Sequence, residues 1–187
     1  MELIFYAGSS LLEGPIWDAT NKLIYCVSIE QGLIYQINPT SGEVQTFITD
    51  GSVGCVALTP EGNLMSAEKN GIFIINPKTR EKTYVTQFES DINLRYNDGR
   101  FDPVGRFLVG TKSEKDYFIE ETVVKGKLFS YHNGEYKVLL NDFLEEQKGI
   151  SRNYNAYKDV SSHFFYWCGK RTHNLPEKGK SSQILGM

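Results

Sequence analysis

Two short segments of the chain combine residue types that can do chemistry. Residues 13–18 read Glu-Gly-Pro-Ile-Trp-Asp, and residues 95–103 read Arg-Tyr-Asn-Asp-Gly-Arg-Phe-Asp-Pro. Carboxylate, guanidinium and amide groups bind ions and hydrogen-bond to polar ligands. Both segments place such groups beside glycine in strand-forming surroundings, which is where β scaffolds usually carry their functional residues. We therefore take the two segments as the candidate site.

Other kinds of site chemistry are less well supported. No Gly-x-Ser-x-Gly motif is present, so a nucleophilic serine is not expected. The cysteines are odd in number and lack Cys-x-x-Cys spacing, which predicts buried free thiols rather than a disulfide framework or a cysteine-rich zinc site. The histidines lack ligand-like spacing. The residues concerned are Cys26, Cys55, Cys168, His132, His163 and His173.

The composition is that of an ordinary globular protein. The 187 residues are 40% hydrophobic and 23% charged, which is enough for one well-buried domain. A formal net charge of -3 argues against a nucleic-acid partner, because phosphate contacts need a clustered basic surface. Residues 1–15 do not resemble a signal peptide, and no run of 18 apolar residues predicts a membrane partner. We expect a cytoplasmic protein.

The pattern of the sequence predicts an all-β fold. Aromatic and β-branched residues dominate, and turn signals break the chain at short intervals. Apolar strands beginning at Leu23, Leu64 and Phe107 recur at a period of roughly 40 residues. Each follows a polar turn and precedes a strand opened by glycine and then a final strand. Four strands per repeat are typical of the blade of a β-propeller.

The repeat predicts about three to four blades and an incomplete propeller. The third unit carries an insertion over residues 113–125, which we expect to form a loop over one end of the propeller. A fourth unit is predicted to begin near Ser151, with a strand over residues 163–167. We predict a partial propeller domain over residues 1–168 and a polar, irregular C-terminal tail over residues 169–187.

At the level of motifs, the chain resembles the family of senescence marker protein 30, gluconolactonase and luciferin-regenerating enzyme, which includes regucalcin. The resemblance extends from Leu11 to about Ile150. Each motif is weak alone, but the set is specific in its order and spacing. The motifs are Glu13-Gly14-Pro15-Ile16-Trp17-Asp18, Asn38-Pro39-Thr40-Ser41-Gly42, Arg95-Tyr96-Asn97-Asp98-Gly99, Asp102-Pro103 with Gly105-Arg106, and Gly110-Thr111.

This resemblance implies a six-bladed propeller with a divalent cation (Ca²⁺, Zn²⁺ or Mg²⁺) at the top of the central channel and a sugar lactone beside it. It implies that Glu13 is a metal ligand, in keeping with the preference of hard cations for oxygen ligands. It also implies that Arg95 and Asn97 contact substrate hydroxyls, although asparagine is a turn-forming residue as well. Asp98 and Gly99 are expected to shape a hairpin turn.

The resemblance is less complete towards the end of the chain. It implies a substrate contact at Glu114, but Lys115 replaces a second acidic residue and predicts a different substrate preference. The family's second metal ligand falls on Arg152 without a gap, or on Asn153 if one residue is inserted; Asn153 is our candidate ligand because arginine would repel the ion. In the family, an aspartate is the third metal ligand and also serves as the general base. This aspartate has no counterpart here, since Asp159 is not its equivalent. The catalytic residue is therefore unknown.

Two functions from different classes follow. One is a metal-dependent sugar-lactone hydrolase, with activity reduced by the missing ligands. The other is a non-catalytic, truncated family member that binds Ca²⁺ weakly or acts only as an interaction or assembly fragment. Exposed strand edges pair with one another, so we also expect self-association through unpaired edges.

Overall fold

The computed structural model describes residues 3–8, 12–114 and 126–143, all within one compact unit, Met1–Glu145. These residues form twelve strands, and the predicted all-β class is confirmed. The predicted fourth unit and residues 115–125 of the predicted loop lie outside the described residues. The strands are β1 (Leu12–Asp18), β2 (Leu23–Ser28), β3 (Leu33–Ile37), β4 (Val44–Ile48), β5 (Val53–Leu58), β6 (Leu64–Glu68), β7 (Gly71–Ile75), β8 (Lys82–Thr86), β9 (Leu94–Phe101), β10 (Phe107–Ser113), β11 (Gly126–His132) and β12 (Glu135–Phe143).

The strands form three antiparallel sheets of four strands each. We call them sheet 1 (β1–β4), sheet 2 (β5–β8) and sheet 3 (β9–β12); within each, the strands lie side by side in chain order. Their second strands begin at Leu23, Leu64 and Phe107, which confirms the repeat read from the sequence. Within the described ranges, no helix has the length and apolar character that spanning a bilayer requires.

The same turn joins the third and fourth strands of sheets 1 and 2. Oδ1 of Asn38 accepts hydrogen bonds of 2.9 and 3.1 Å from two amides of its turn, and Oδ1 of Asn76 does the same at the same distances. Asparagine favours such turns because its side chain reaches the backbone just ahead of it. Each turn ends with a positive φ, 75° at Gly42 and 65° at Arg80. The Asn-Pro motif therefore specifies a turn.

Aspartates close the turn between the first and second strands of sheets 1 and 3. Asp102 accepts hydrogen bonds from the amides of Val104 and Arg106, and its Oδ2 lies 2.6 Å from Nε of Arg106. Asp18 accepts two backbone amides of its own turn. Burial opposes ionisation of both carboxyl groups, but these hydrogen bonds outweigh it and lower the pKa of each. The Asp102-Pro103 motif is therefore structural.

Apolar side chains fill the two spaces between neighbouring sheets. Alternate residues of β2 and β3, including Tyr25, Val27 and Ile34, face Val56 and Leu64 of sheet 2. A second cluster lies between sheets 2 and 3 and contains Cys55, Ala57, Met65, Ala67, Ile72, Phe88, Tyr96, Phe107, Val109 and Phe129. Each large apolar side chain buried in this way contributes about 1.5–3 kcal/mol to folding, so these two clusters fix the order of the sheets.

The other face of sheet 1 is covered in part by residues 3–8. Cys26, Tyr35 and Ile37 are buried on this face, and Phe5 and Ala7 pack against them. The rings of Phe5 and Tyr35 lie 5.0 Å apart between centroids. Cys26 and Cys55 are both buried and free, as predicted, whereas Cys168 lies outside the described residues.

The expectation that Asp98 and Gly99 form a hairpin turn is wrong, because both lie inside β9. A Cβ on Gly99 would lie 2.6 Å from Sγ of Cys55 and 3.0 Å from Cζ of Phe107. Glycine is needed at this position because the neighbouring sheet packs directly against it, rather than because the chain turns. The register of β9 against β10 shifts between Val109 and Thr111, which marks a bulge opposite this part of β9.

Candidate functional site

The described candidate residues lie at one end of the sheets, which we call the upper end and define as the end where β1, β5 and β9 begin. The amide of Val53, at the start of β5, donates to the carbonyl of Ile29. Ile29 directly follows the end of β2, and that end of β2 pairs with the start of β1. A Cβ on Gly54 would lie 2.3 Å from the carbonyl oxygen of Tyr96 near the start of β9. The three first strands therefore begin side by side.

Glu13 lies in β1 beside an irregularity in the strand. It pairs with Val27 of β2, and the register shifts between Glu13 and Ile16. Gly14 has a φ of 61°, which glycine adopts at little cost and other residues do not. The side chain of Glu13 is half-buried in a strand, so it is not a residue of an exposed turn. The Glu-Gly-Pro motif thus makes β1 irregular directly after Glu13, which lies at the upper end.

Arg95 and Asn97 lie on the same side of β9 and are in contact. Nη1 of Arg95 donates to the Oδ1 of Asn97 at 3.3 Å and to the carbonyl of Tyr96 at 3.0 Å. Both residues are half-buried. Within the described ranges, no carboxylate forms an ion pair with Arg95. The pair can donate to and accept from neighbouring hydroxyl groups.

Arg95 also lines a pocket at the upper end. The pocket has a volume of about 80 Å³ and lies among the turn of Lys69 and Asn70, residues 87–92 and residues 94–96 of β9. Glu89, on this wall, is buried: its Oε1 accepts hydrogen bonds from two backbone amides, and its Oε2 lies 2.8 Å from Nζ of Lys127. The pocket therefore combines a guanidinium that has no carboxylate partner among the described residues with an acidic side chain that is paired with a lysine.

Tyr96 holds the wall of the pocket in place. Its hydroxyl oxygen accepts hydrogen bonds from the amides of Phe88 and Glu89 at 2.8 and 3.0 Å. Burial raises the pKa of Tyr96 to about 12, so its hydroxyl stays protonated at physiological pH. Tyr96 points away from Arg95 and Asn97 because successive residues of a strand face opposite sides. It is therefore a structural residue of the site.

Glu114 follows β10 at the upper end and contacts the neighbouring sheet. Its Oε1 lies 3.3 Å from Nζ of Lys69, and its amide donates to the carbonyl of Asn93 at 2.7 Å. Because Lys69 and Arg95 line the same pocket, the structure brings Glu114 to the border of that pocket. Glu13 makes no hydrogen bond or ion pair with Arg95 or Glu114 within the described part of the chain.

The described residues supply few side chains that could bind a metal ion. Within residues 3–8, 12–114 and 126–143, no group of three or more His, Cys, Asp or Glu side chains is placed to hold an ion. Glu13 supplies a carboxylate of the kind that Ca²⁺ or Mg²⁺ prefers. Asn153 and Arg152, the candidates for a second ligand position, lie outside the described residues. The described part of the chain thus offers one ligand of the predicted set.

The fold and this site define the class of protein. Consecutive four-stranded antiparallel sheets, packed face to face with their first strands in contact, form a β-propeller, and the described residues supply three of its blades. The SMP-30/Gluconolactonase/LRE-like region family matches residues 11–150, which is more than half of the chain. The chain belongs to this family, as the motifs predicted.

Individual relatives agree with this assignment. Regucalcin of Xenopus laevis is 29% identical over 142 residues, which are 74% of this chain and 46% of that protein. The 6-deoxy-6-sulfogluconolactonase of Pseudomonas putida is 30% identical over 104 residues, or 55% of this chain and 36% of that enzyme. The chain therefore spans less than half the length of these relatives.

A solved structure shows the same fold. The calcium-binding protein regucalcin of Agrobacterium tumefaciens superposes with a TM-score of 0.64 at 23% sequence identity, over 72% of this chain and 44% of that one. The superposition confirms the predicted propeller architecture and, at this identity, shows the fold alone.

Sequence reasoning missed two charged residues of the site. Lys69 and Glu89 lie in a turn and a connection, where isolated charges are usually solvated and carry no signal of their own. Only the packing of sheets 2 and 3 brings Lys69 to Glu114 and places both Lys69 and Glu89 at the pocket of Arg95.

Proposed function

We propose that this protein is a divalent-metal-dependent hydrolase of sugar lactones. Membership of the family supports a reaction of this class, and one relative is a lactonase of a sulfonated gluconolactone by name. The observation that carries the proposal is the pair of Arg95 and Asn97, in contact on β9 beside a pocket and without a carboxylate partner for the arginine among the described residues.

Arg95 and Asn97 would bind the hydroxyl groups of the lactone. The guanidinium presents N–H donors in a fixed plane, and the amide both donates and accepts, which suits a ring bearing several neighbouring hydroxyls. Their mutual hydrogen bond fixes the two side chains before a ligand arrives. Such preorganisation lowers the entropic cost of orienting the ring.

Glu13 would be one ligand of the cation, which we expect to be Ca²⁺, Zn²⁺ or Mg²⁺. Glu13 lies at the upper end, where the first strands begin, and its backbone is held in β1 by pairing with Val27 of β2. When bound, such a cation would supply Lewis-acid chemistry, polarising the lactone carbonyl or lowering the pKa of a water. Asn153 remains the proposed second ligand, and Glu114 a proposed substrate contact.

A matched pair of arginine variants of β9 tests the proposal. In hydrolysis of glucono-1,5-lactone, followed by proton release with Ca²⁺, Mg²⁺ or Zn²⁺ present, Arg95→Ala should lower kcat/KM by about 10- to 100-fold, because hydrogen bonds from a charged group contribute about 1.5–3 kcal/mol. Arg100→Ala, at an exposed position of the same strand, is the control and should retain wild-type activity.

Unchanged kcat/KM in Arg95→Ala would contradict the assigned role of the arginine. Absence of lactone turnover by the wild-type chain would favour the alternative, a non-catalytic family member that binds Ca²⁺ weakly or acts only as an interaction or assembly fragment.

A further inference from the structure

We propose that Lys69 is a positioning residue of the lactone site, which holds the carboxylate of Glu114 in place for a substrate hydroxyl; the inference rests on the proposed function. Lys69 lies outside the motifs on which the resemblance to the family rests. The structure nevertheless places it between Glu114 and the pocket lined by Arg95.

The backbone of Lys69 is fixed at the upper end of sheet 2. Its amide donates to the carbonyl of Ser52 at 2.8 Å. Gly51, with a φ of 89°, passes so close that a Cβ there would lie 3.1 Å from Cβ of Lys69. The start of the lysine side chain is therefore held by the connection between sheets 1 and 2, and its ammonium reaches across to sheet 3.

Glu114 is held at two points, and its second carboxylate oxygen has no hydrogen-bond partner among the described residues. Its amide donates to Asn93, and its Oε1 pairs with Lys69. Its Oε2 is buried and accepts no hydrogen bond from the described residues. A buried carboxylate oxygen without a donor is costly, so a ligand hydroxyl that donates to it is stabilised. Lys69 thereby leaves one oxygen of Glu114 to accept from the sugar.

Because the side chain of Lys69 is partly exposed, its role in substrate binding can be distinguished from a role in the stability of the fold. The side chain of Lys69 is 43% exposed, and ion pairs with such exposure contribute little to stability. Removing the lysine should leave the fold intact but allow the carboxylate to rotate. Substrate binding is then weakened while the chemical step is largely preserved.

The test compares Lys69→Met and Lys69→Arg with the wild-type chain in hydrolysis of glucono-1,5-lactone. We expect Lys69→Met to raise KM about tenfold with kcat changed less than twofold, and Lys69→Arg to restore KM. Glu114→Gln should raise KM similarly, and the double variant should be no worse than either single variant, because the two residues act as one unit. Lys137→Met, an exposed lysine on β12, is the control.

Binding of sodium gluconate, measured by NMR titration, separates this inference from the proposed function. A tenfold weaker affinity in Lys69→Met supports the role of Lys69 even if the wild-type chain does not hydrolyse the lactone, an outcome in which only the proposed function fails. Wild-type KM and gluconate affinity in Lys69→Met overturn the role of Lys69 and leave the proposed function standing. A wild-type chain that neither hydrolyses the lactone nor binds gluconate overturns both.

Discussion

Gly54 sets the distance between the first strands of sheets 2 and 3. A Cβ at this position would lie 2.3 Å from the carbonyl oxygen of Tyr96 and 2.5 Å from that of Asn97. Both atoms belong to the backbone, so a larger residue has to push β9 away rather than displace a flexible side chain. The position of Asn97 at the site therefore depends on a glycine in the neighbouring sheet.

Replacement of Gly54 by alanine should destabilise the protein by about 3 kcal/mol, the upper part of the range for overpacked interiors. Urea unfolding measures the effect. Gly110→Ala is the matched control, since a Cβ there meets its nearest atoms at an ordinary 3.9 Å and the change should cost less than about 0.5 kcal/mol. Equal stability of the two variants would contradict the close approach of β5 and β9.

Asp102 should make stability depend on pH. Its pKa is lowered from the usual 3.8, because its hydrogen bonds to Val104 and Arg106 outweigh the opposing effect of burial. A lowered pKa in the folded state means that the stabilisation is complete above the pKa of the unfolded chain and is lost as the pH falls through the folded value. We expect Asp102→Asn to lower Tm at pH 7, at a cost of about 1 kcal/mol.

The difference in Tm between Asp102→Asn and wild type should narrow as the pH falls below 3.8. Thermal melts from pH 7 to pH 2 test this, with Glu135→Gln, at an exposed hairpin position, as the control. A difference that stayed constant to pH 2 would show that the carboxylate charge does not stabilise the turn.

Residue types in the motifs identified the pair on β9, but not how each residue is used. The contact between Arg95 and Asn97 follows from their spacing in one local motif, and their role in substrate binding stays a prediction. Gly99 was misread as a turn residue because Asp-Gly favours hairpins locally, whereas its actual constraint is the sulfur atom of Cys55 in another sheet. Contacts between sheets leave no local signal in the sequence.

At the scale of elements, a buried polar network of sheet 2 holds the connection that leads from sheet 1. The carboxylate of Glu68 is completely buried and lies 2.5 Å from Nζ of Lys82. It also accepts hydrogen bonds from the hydroxyl of Ser66 at 2.7 Å and from the amide of Asp50 at 2.6 Å. Asp50 belongs to the connection between the sheets, so the network fixes that connection.

Lys82→Met should destabilise the protein by about 3 kcal/mol, because it leaves the charge of Glu68 buried without its cationic partner. Adding Glu68→Gln to this variant should recover part of the loss, since the amide can still accept hydrogen bonds and carries no charge. Lys137→Met, on an exposed edge strand, is the control for loss of a lysine. Urea unfolding of the set forms a double-mutant cycle. Additive effects would mean that the two side chains do not interact.

The elements themselves were largely predictable, because each blade repeats a local pattern. The strands beginning at Leu23, Leu64 and Phe107 and the turns at Asn38 and Asn76 follow from residue types close together in the chain. The buried Glu68 was not predictable, because a charged residue at the end of a strand usually points to solvent. Its contacts with Lys82 and with the amide of Asp50 join residues that are 14 and 18 positions away in the chain.

For the molecule as a whole, the edge strands are where we predict pairing with a second chain. Among the described residues, β4 is an edge strand of sheet 1, and Ile48 at its end is 79% exposed. An exposed apolar edge is a template for pairing with a second chain. Self-association through such edges stays a prediction.

Ile48→Lys should reduce self-association, because a lysine on an edge strand opposes pairing with another edge. Sedimentation velocity over a range of protein concentrations measures this. Ile92→Lys is the matched control, since Ile92 is 82% exposed but lies in the connection before β9. Equal reduction by both substitutions would point to general surface hydrophobicity instead of edge pairing.

Hydrolysis of glucono-1,5-lactone by the wild-type chain tests the central claim most directly. The rate of proton release should be compared with Ca²⁺, Mg²⁺ or Zn²⁺ and with EDTA, against the spontaneous rate without protein. If the protein is a lactonase, the rate should exceed the spontaneous rate, should require the cation and should fall in Arg95→Ala. A rate equal to spontaneous hydrolysis under every metal condition would contradict the proposed function.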